Sequence, residues 1–316
     1  MAAFIPGVAL ITYFYKMSTD QIPSFTIESL KSTDSEKKEF DFFRFEYFAK
    51  DIEHLKAPHR HHFYTYILVT GGSGSHDIDF QNYDLVPNRL FLIAPDQVHA
   101  WNELRKVKGF VVLFNDSFMA LSKGRKMMSA WPLFRPNQSC YFDLSQAETE
   151  KWTEEFLFME EESLNPDEFS RDAIFYSISS LLVRASRLSR GHDKHTASSG
   201  MDFLFHFQEL IEKHFIELKT PKEYADLMNI TPNYLNSLSK AKSGKAAGEL
   251  IRQRILLEAK RSLAHTQLSV SEVAFKLGFQ DNSYFGRYFK KYTNLTPLEF
   301  KDQQQSRPGS AHDEQD

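Results

Sequence analysis

Residues 269–300 read SVSEVAFKLGFQDNSYFGRYFKKYTNLTPLEF, and this stretch decides how the C-terminal third folds. Ser269 has the form of a helix cap, and Val273, Ala274 and Leu277 fall on one face of the short helix that follows. Gly278-Phe279 makes a tight turn. Asp281 or Asn282 then caps a second helix through Ser283, Tyr284, Phe285, Arg287, Tyr288, Phe289, Lys290 and Lys291. Asn294 suits the left-handed position that ends it, and Thr296-Pro297 starts a closing helix.

Residues 220–247, TPKEYADLMNITPNYLNSLSKAKSGKAA, repeat the layout. Thr220-Pro221 opens a short helix with Ala225 and Leu227 apolar, and Met228-Asn229-Ile230 turns the chain. Thr231-Pro232 starts a second helix that ends near Gly244. A short helix, a tight turn and a helix with a polar, basic outer face form a helix-turn-helix, whose second helix suits the major groove of DNA. A single helix, Ala246 to Leu263, joins the two copies. At 1.5 Å per residue it is roughly 27 Å long. Major-groove segments on one DNA face repeat every ~34 Å, so this connector suits two recognition helices in adjacent turns.

Several residues carry a closer resemblance. They are Arg252-Gln253-Arg254, Glu258-Ala259-Lys260-Arg261, Leu263, Thr266, Ser271-Glu272-Val273-Ala274, Leu277-Gly278-Phe279, Ser283-Tyr284-Phe285, Arg287, Phe289-Lys290-Lys291, Thr296-Pro297 and Phe300. In these positions the chain resembles the AraC/XylS family of bacterial transcription regulators over residues 205–303. It departs from the pattern at Ser237, where many members carry Arg, at Ser239, where a core Phe is common, and at Asn294, where Gly is usual.

Asn pairs bidentately with adenine and Arg with guanine. Asn233, Asn236, Asn282, Ser283 and Arg287 are therefore the expected base contacts. Lys240, Lys242, Lys245, Lys290 and Lys291 are the expected phosphate contacts. Tyr234 and Ser237 complete the expected interface. Leu235, Leu238, Phe285 and Phe289 belong to the core.

The region before this reads differently. Strand-like runs Phe40–Phe48, Phe63–Thr70, Ser75–Phe80, Arg89–Ala94 and Phe110–Phe114 are punctuated by Pro58, Gly71-Gly72-Ser73-Gly74, Pro87 and Pro95. That pattern predicts an antiparallel barrel or sandwich. Ser145-Gln146-Ala147-Glu148 has the form of a capping box, and Trp152, Phe156 and Met159 recur at helical spacing after it. A second helix spans about 167–189, with Ile174, Ile178, Leu181, Leu182 and Leu188 along one stripe. That stripe either closes the barrel or forms a dimer interface.

Pro58-His59-Arg60-His61-His62-Phe63-Tyr64 and Ala94-Pro95-Asp96-Gln97-Val98-His99-Ala100-Trp101 resemble the cupin-like barrel found in front of the DNA-binding part in many of these regulators, which implies an effector-sensing module. Strand alternation puts His59, His61, Phe63 and Thr65 on one face, and His99 joins them across the barrel. Three histidines suit a divalent metal. The metal-binding pattern, however, expects a carboxylate where Phe63, Tyr64, Thr65 and Tyr66 stand, so the expectation is a metal-free effector pocket without a cofactor, with a mainly structural histidine cluster as the alternative.

The fold class expected is α+β in two domains: an antiparallel cupin-like β-barrel with helices, then an all-α domain with two helix-turn-helix motifs. The boundaries expected are an extension at 1–23, a sensor and dimerisation domain at 24–190, a polar linker at 191–200, a DNA-binding domain at 201–303 and a frayed tail at 304–316. Met17 reads as a natural start, and the uncharged run Ala2–Tyr15 is too short to span a bilayer. The two histidines of the linker read as solvated.

The 316-residue chain is 41% hydrophobic and 25% charged, which excludes disorder throughout. Its one cysteine, Cys140, excludes an intrachain disulfide and fits a reducing cytoplasm. A net charge of −4 argues against nucleic acid until it is divided. Residues 201–303 hold 15 basic and 12 acidic residues, +3, while the rest holds 23 and 30, −7. The partners expected are double-stranded DNA, a small-molecule effector, RNA polymerase for an activator, and a second copy in a homodimer, with no membrane. No triad, phosphate loop or carboxylate pair marks an enzyme. The alternative readings are a metal-dependent cupin enzyme with an attached helical domain, and a ligand-independent regulator whose vestigial barrel serves only dimerisation.

Overall fold

The computed structural model describes residues 21–30, 38–47, 55–119, 141–192 and 201–306. The expectations for the extension before residue 21, Cys140, most of the linker and the tail beyond residue 306 lie outside them. From residue 23 on, the described residues fall into two compact units, one within residues 23–192 and one within residues 201–306.

The first unit is built on strands β1 (Ser24–Phe25), β2 (Phe40–Arg44), β3 (Arg60–His61), β4 (Tyr64–Ile78), β5 (Gln81–Leu85), β6 (Arg89–Ile93), β7 (His99–Phe114) and β8 (Tyr141–Asp143). Six of them form one antiparallel sheet in the order β2-β7-β4-β6-β8, with β5 paired to the far half of β4. β1 and β3 form a parallel pair.

The expected break at Gly71-Gly72-Ser73-Gly74 is corrected. The runs Phe63–Thr70 and Ser75–Phe80 belong to one strand, β4, and the glycines lie inside it. They accommodate register shifts between Val69 and Ser75. Gly72 has φ +81°, and a Cβ there would lie 2.3 Å from the Lys106 carbonyl oxygen. Glycine here admits a bulge and a close approach rather than a chain reversal.

Both faces of the central strands are covered. Tyr66, Leu68, Phe110, Val112 and Phe114 pack in one cluster with Trp152, Phe156, Met159, Ile174, Ile178, Leu181 and Leu182. These come from α2 (Gln146–Leu164) and α3 (Ser170–His192), which follow the short α1 (Asp116–Met119). Ser145 caps α2 with the reciprocal Glu148 bond of a capping box. The stripe expected on α3 is thus used to close the sheet, with Leu188 packed at its edge. α3 also continues through Gly191 and His192, the first residues of the expected linker. Double coverage explains why Tyr66–Val69 is an unbroken buried run.

The second unit is helical: α4 (Met201–His214), α5 (Pro221–Leu227), α6 (Pro232–Ser243), α7 (Ala247–His265), α8 (Val270–Lys276), α9 (Asn282–Thr293) and α10 (Pro297–Gln305). Its caps match the residues that the sequence offers. Thr220, Ser269 and Thr296 each form a full capping box, Thr231 accepts from Tyr234 N–H, and Asp281, not Asn282, caps α9. Gly244 (φ 73°) and Asn294 (φ 64°) end α6 and α9 in the left-handed conformation. α7, at 19 residues, is about 28 Å long.

Ser239 of α6 is buried at a position where larger residues fill the matching part of α9, and its hydroxyl has no hydrogen-bond partner. Ser239→Ala removes that orphan. It is expected to raise stability by about 1 kcal/mol in urea unfolding followed by circular dichroism.

Candidate functional site

Two sites emerge, one in each unit. In the helical unit, Leu235 and Ser239 of α6 and Phe285 and Phe289 of α9 point inward and are fully buried. Positions three, four and seven residues apart share a helix face. The opposite faces therefore carry Asn233, Ser237 and Lys240 on α6, and Ser283, Arg287 and Lys290 on α9. All six are exposed, as are Tyr234, Asn282 and Lys291.

Asn236, Lys245 and Asn282 are among the expected contacts that make hydrogen bonds within the unit. The Asn236 side-chain oxygen accepts the Ala247 backbone N–H at 3.1 Å, supplying the cap that Ala246 cannot give α7. Lys245 Nζ donates to Gln253 Oε1 at 3.0 Å. Asn282 Nδ2 donates to Ser271 Oγ at 2.9 Å. Lys242 is half-buried. Arg287 has only a loose ion pair with Asp281, 3.9 Å, and its side chain is 70% exposed.

In the sensor unit, His59, His61, Phe63, Thr65 and His99 are all buried and line one cavity, the first four as their alternation predicts and His99 from across the sheet. Among the described residues, Phe25, Leu30, Leu55, Trp101, Val111 and Leu113 add to the lining, and none of the described lining residues is an acid, a lysine or an arginine. Among the described residues no group of three or more His, Cys, Asp or Glu is arranged to hold a metal ion. The free space is about 20 Å³, room for about one water molecule.

Carbonyl partners set two tautomers. His59 Nδ1 donates to Ala57 O at 2.9 Å and His61 Nδ1 to Phe63 O at 2.7 Å. The Thr65 hydroxyl then donates to His61 Nε2 at 3.3 Å. His76 was not foreseen. Its Nε2 shares a hydrogen bond of 2.8 Å with His99 Nδ1, and its ring stacks on Trp101 at 3.8 Å. His76 Nδ1 and His99 Nε2 are buried without a partner. Whichever ring donates, one N–H and one lone pair stay unmatched.

Parity explains the omission of His76. Thr65 faces the cavity from an odd position, and the bulges between Val69 and Ser75 move the inward face to even positions, His76 and Ile78.

Burial, then the neighbouring His59, pushes the His61 pKa down to about 3. Burial first, then His59 and His61, lowers those of His76 and His99. A histidine kept neutral in the fold and protonated when unfolded stabilises fully above the ordinary value of about 6.5. That stability is lost as pH falls below there, for His61 down toward 3. Sensor stability is expected to drop by about 1.4 kcal/mol per pH unit for each such histidine, read as the urea midpoint between pH 7 and pH 5. A flat profile would mean that the rings are solvated.

The sensor's first half matches the family model described as an AraC-like ligand-binding domain, residues 44–118. Residues 224–303 match a helix-turn-helix domain model. The transcriptional activator RhaS of Escherichia coli is 24% identical over 256 residues, covering 77% of this chain and 86% of its own. RhaR of an Enterobacter species is 21% identical over 250 residues, covering 79% and 88%. Among solved structures, ToxT of Vibrio cholerae aligns over 84% of this chain and 98% of its own at 13% identity, TM-score 0.39. The C-terminal domain of the response regulator yesN from Fusobacterium nucleatum is 28% identical over 30% of this chain and 94% of its own, TM-score 0.29.

A ligand-binding domain followed by a helix-turn-helix domain defines a transcription regulator with a sensor of its own. The chain joins an AraC-like ligand-binding domain to a helix-turn-helix domain, the two parts of an AraC-family transcription regulator. Among the described residues, no helix is long and apolar enough to cross a membrane.

Proposed function

We propose that the protein is an effector-controlled transcription activator that acts in the cytoplasm as a homodimer. Its helices α6 and α9 enter adjacent major-groove segments on one face of DNA. The single observation carrying this is the pair of exposed polar faces, Asn233–Ser237–Lys240 and Ser283–Arg287–Lys290, held at the two ends of one rigid helix, α7. Asn233, Asn282, Ser283 and Arg287 read bases, the lysines hold phosphates, and Asn236 contributes mainly by fixing α7.

The effector enters the histidine-lined cavity. A molecule larger than water fits only a conformation in which that cavity is enlarged, so binding selects that conformation and shifts the balance of DNA-binding states. The second copy docks on the outer side of α2 and α3, where Leu157, Phe158, Leu164 and Tyr176 are exposed. The activator reading, with RNA polymerase as partner, follows from the similarity to RhaS and RhaR.

Mapping of bound DNA across the genome of the source organism tests this. Reproducible sites upstream of genes, each a pair of half-sites about one helical turn apart, are the expected result. No reproducible site would refute it.

A further inference from the structure

The second unit holds a connection between its two helix-turn-helix halves besides α7. Lys219 lies in the segment between α4 and α5, immediately before the Thr220 cap of the first motif. Its ammonium donates to the Ile216 carbonyl at 2.6 Å, to Phe215 O at 3.5 Å, and across to the Leu277 carbonyl at 2.6 Å. Leu277 ends α8, the first helix of the second motif. The ammonium also lies 5.0 Å from the centre of the Phe279 ring. Phe279 in turn packs against Tyr284, Phe285 and Tyr288 of α9 at 5.1–6.0 Å.

The approach is close at the backbone as well. Gly278 has φ +75°, and a Cβ there would sit 2.3 Å from the Ile216 carbonyl oxygen. An N-terminal capping bond anchors the near side, because Glu223 accepts from both Lys219 N–H and Thr220 N–H at 3.0 and 2.7 Å. One lysine thus spends all three donors on carbonyls, bridging the start of one motif to the turn of the other.

We infer that Lys219 is a positioning residue that fixes the spacing of the two recognition helices, and so makes the protein select one separation between operator half-sites. α7 alone sets the distance between the motifs but permits a hinge at each end. The Lys219 bridge closes the second side of that frame, and a frame with two sides resists the hinge motion. The inference rests on the reading that both motifs contact DNA.

The test uses the full chain, selecting from a random duplex DNA library, for wild type, Lys219→Met and Gly278→Ala. Gly278→Ala pushes the same loops apart while leaving Lys219 in place, so it decides the matter where Lys219→Met does not fold. Wild type is expected to select two half-sites at one separation. The variants are expected to select the same half-site sequences over several separations. If the competent arrangement falls to about a tenth of the population, affinity for the wild-type site drops about tenfold.

Nitroxide labels at exposed Ala241 and Leu298, in a Cys140→Ser background, report the frame without DNA by pulsed electron resonance. A broadened distance distribution in the variants supports the inference. One unchanged separation together with an unchanged distribution overturns it. A wild type that selects no paired half-sites would refute the DNA reading, while the distance measurement still decides the role of Lys219.

Discussion

Arg254→Ala is expected to destabilise the helical unit by about 3 kcal/mol, the low end of the range for breaking a buried ion pair. The guanidinium is 8% exposed, bonded to Glu212 of α4 at 2.6 Å and Glu258 of α7 at 3.0 Å. It also lies 3.9 Å from the centre of the Phe215 ring. Truncation removes an α4–α7 tie and leaves Glu258, itself 12% exposed, facing Arg261 at 3.4 Å. Glu212 is 48% exposed and regains water, which keeps the loss below the top of the range.

All three tryptophans lie at 101, 131 and 152, outside the helical unit, so two probes separate the domains. The circular dichroism transition in urea should shift while the tryptophan fluorescence transition stays in place. A loss below about 1 kcal/mol would reduce the pair to the worth of a surface ion pair.

Arg287→Ala is expected to weaken binding to a selected site by about 1–3 kcal/mol and to relax base preference at one position. Its exposed side chain is held only by the distant Asp281 contact, so it is free to reach a guanine edge, and its removal leaves the fold intact. Lys290→Ala is the contrast. It should weaken all sequences alike and lower the salt slope by about one. Unchanged affinity of Arg287→Ala in a gel-shift titration would remove Arg287 from the reading face.

The helical unit was the more legible part of the chain because its signals are local. A cap at Thr220, Ser269 or Thr296 and a left-handed Gly244 or Asn294 act within one turn of helix. His59, His61, Phe63 and Thr65 were legible for a similar reason, since alternation within a short stretch sets their face, whereas His99 came from its own segment of the resemblance. Four things were not legible. The glycines at 71–74 carry the same residue types whether they turn the chain or bulge it, and only pairing with β7 decides. His76 was hidden by the parity change those bulges cause. Arg254 and Lys219 look like surface cations in sequence, because their partners come from helices and loops far along the chain. Asn236 was legible as a polar residue on α6 but not as the cap of α7.

Division of the charge removed the objection to nucleic acid but did not by itself set the function class. The +3 of residues 201–303 is modest, and the DNA reading depends on the exposure of Lys240, Arg287, Lys290 and Lys291 on two faces.

Hydroxyl-radical footprinting of the purified chain on a bound DNA fragment shows whether both motifs hold the duplex. Two protected stretches per chain are expected, on one face of the duplex and about one helical turn apart, with Arg287→Ala losing protection in one of them. Protection of a single stretch, unchanged when either motif is altered, would contradict the two-motif reading.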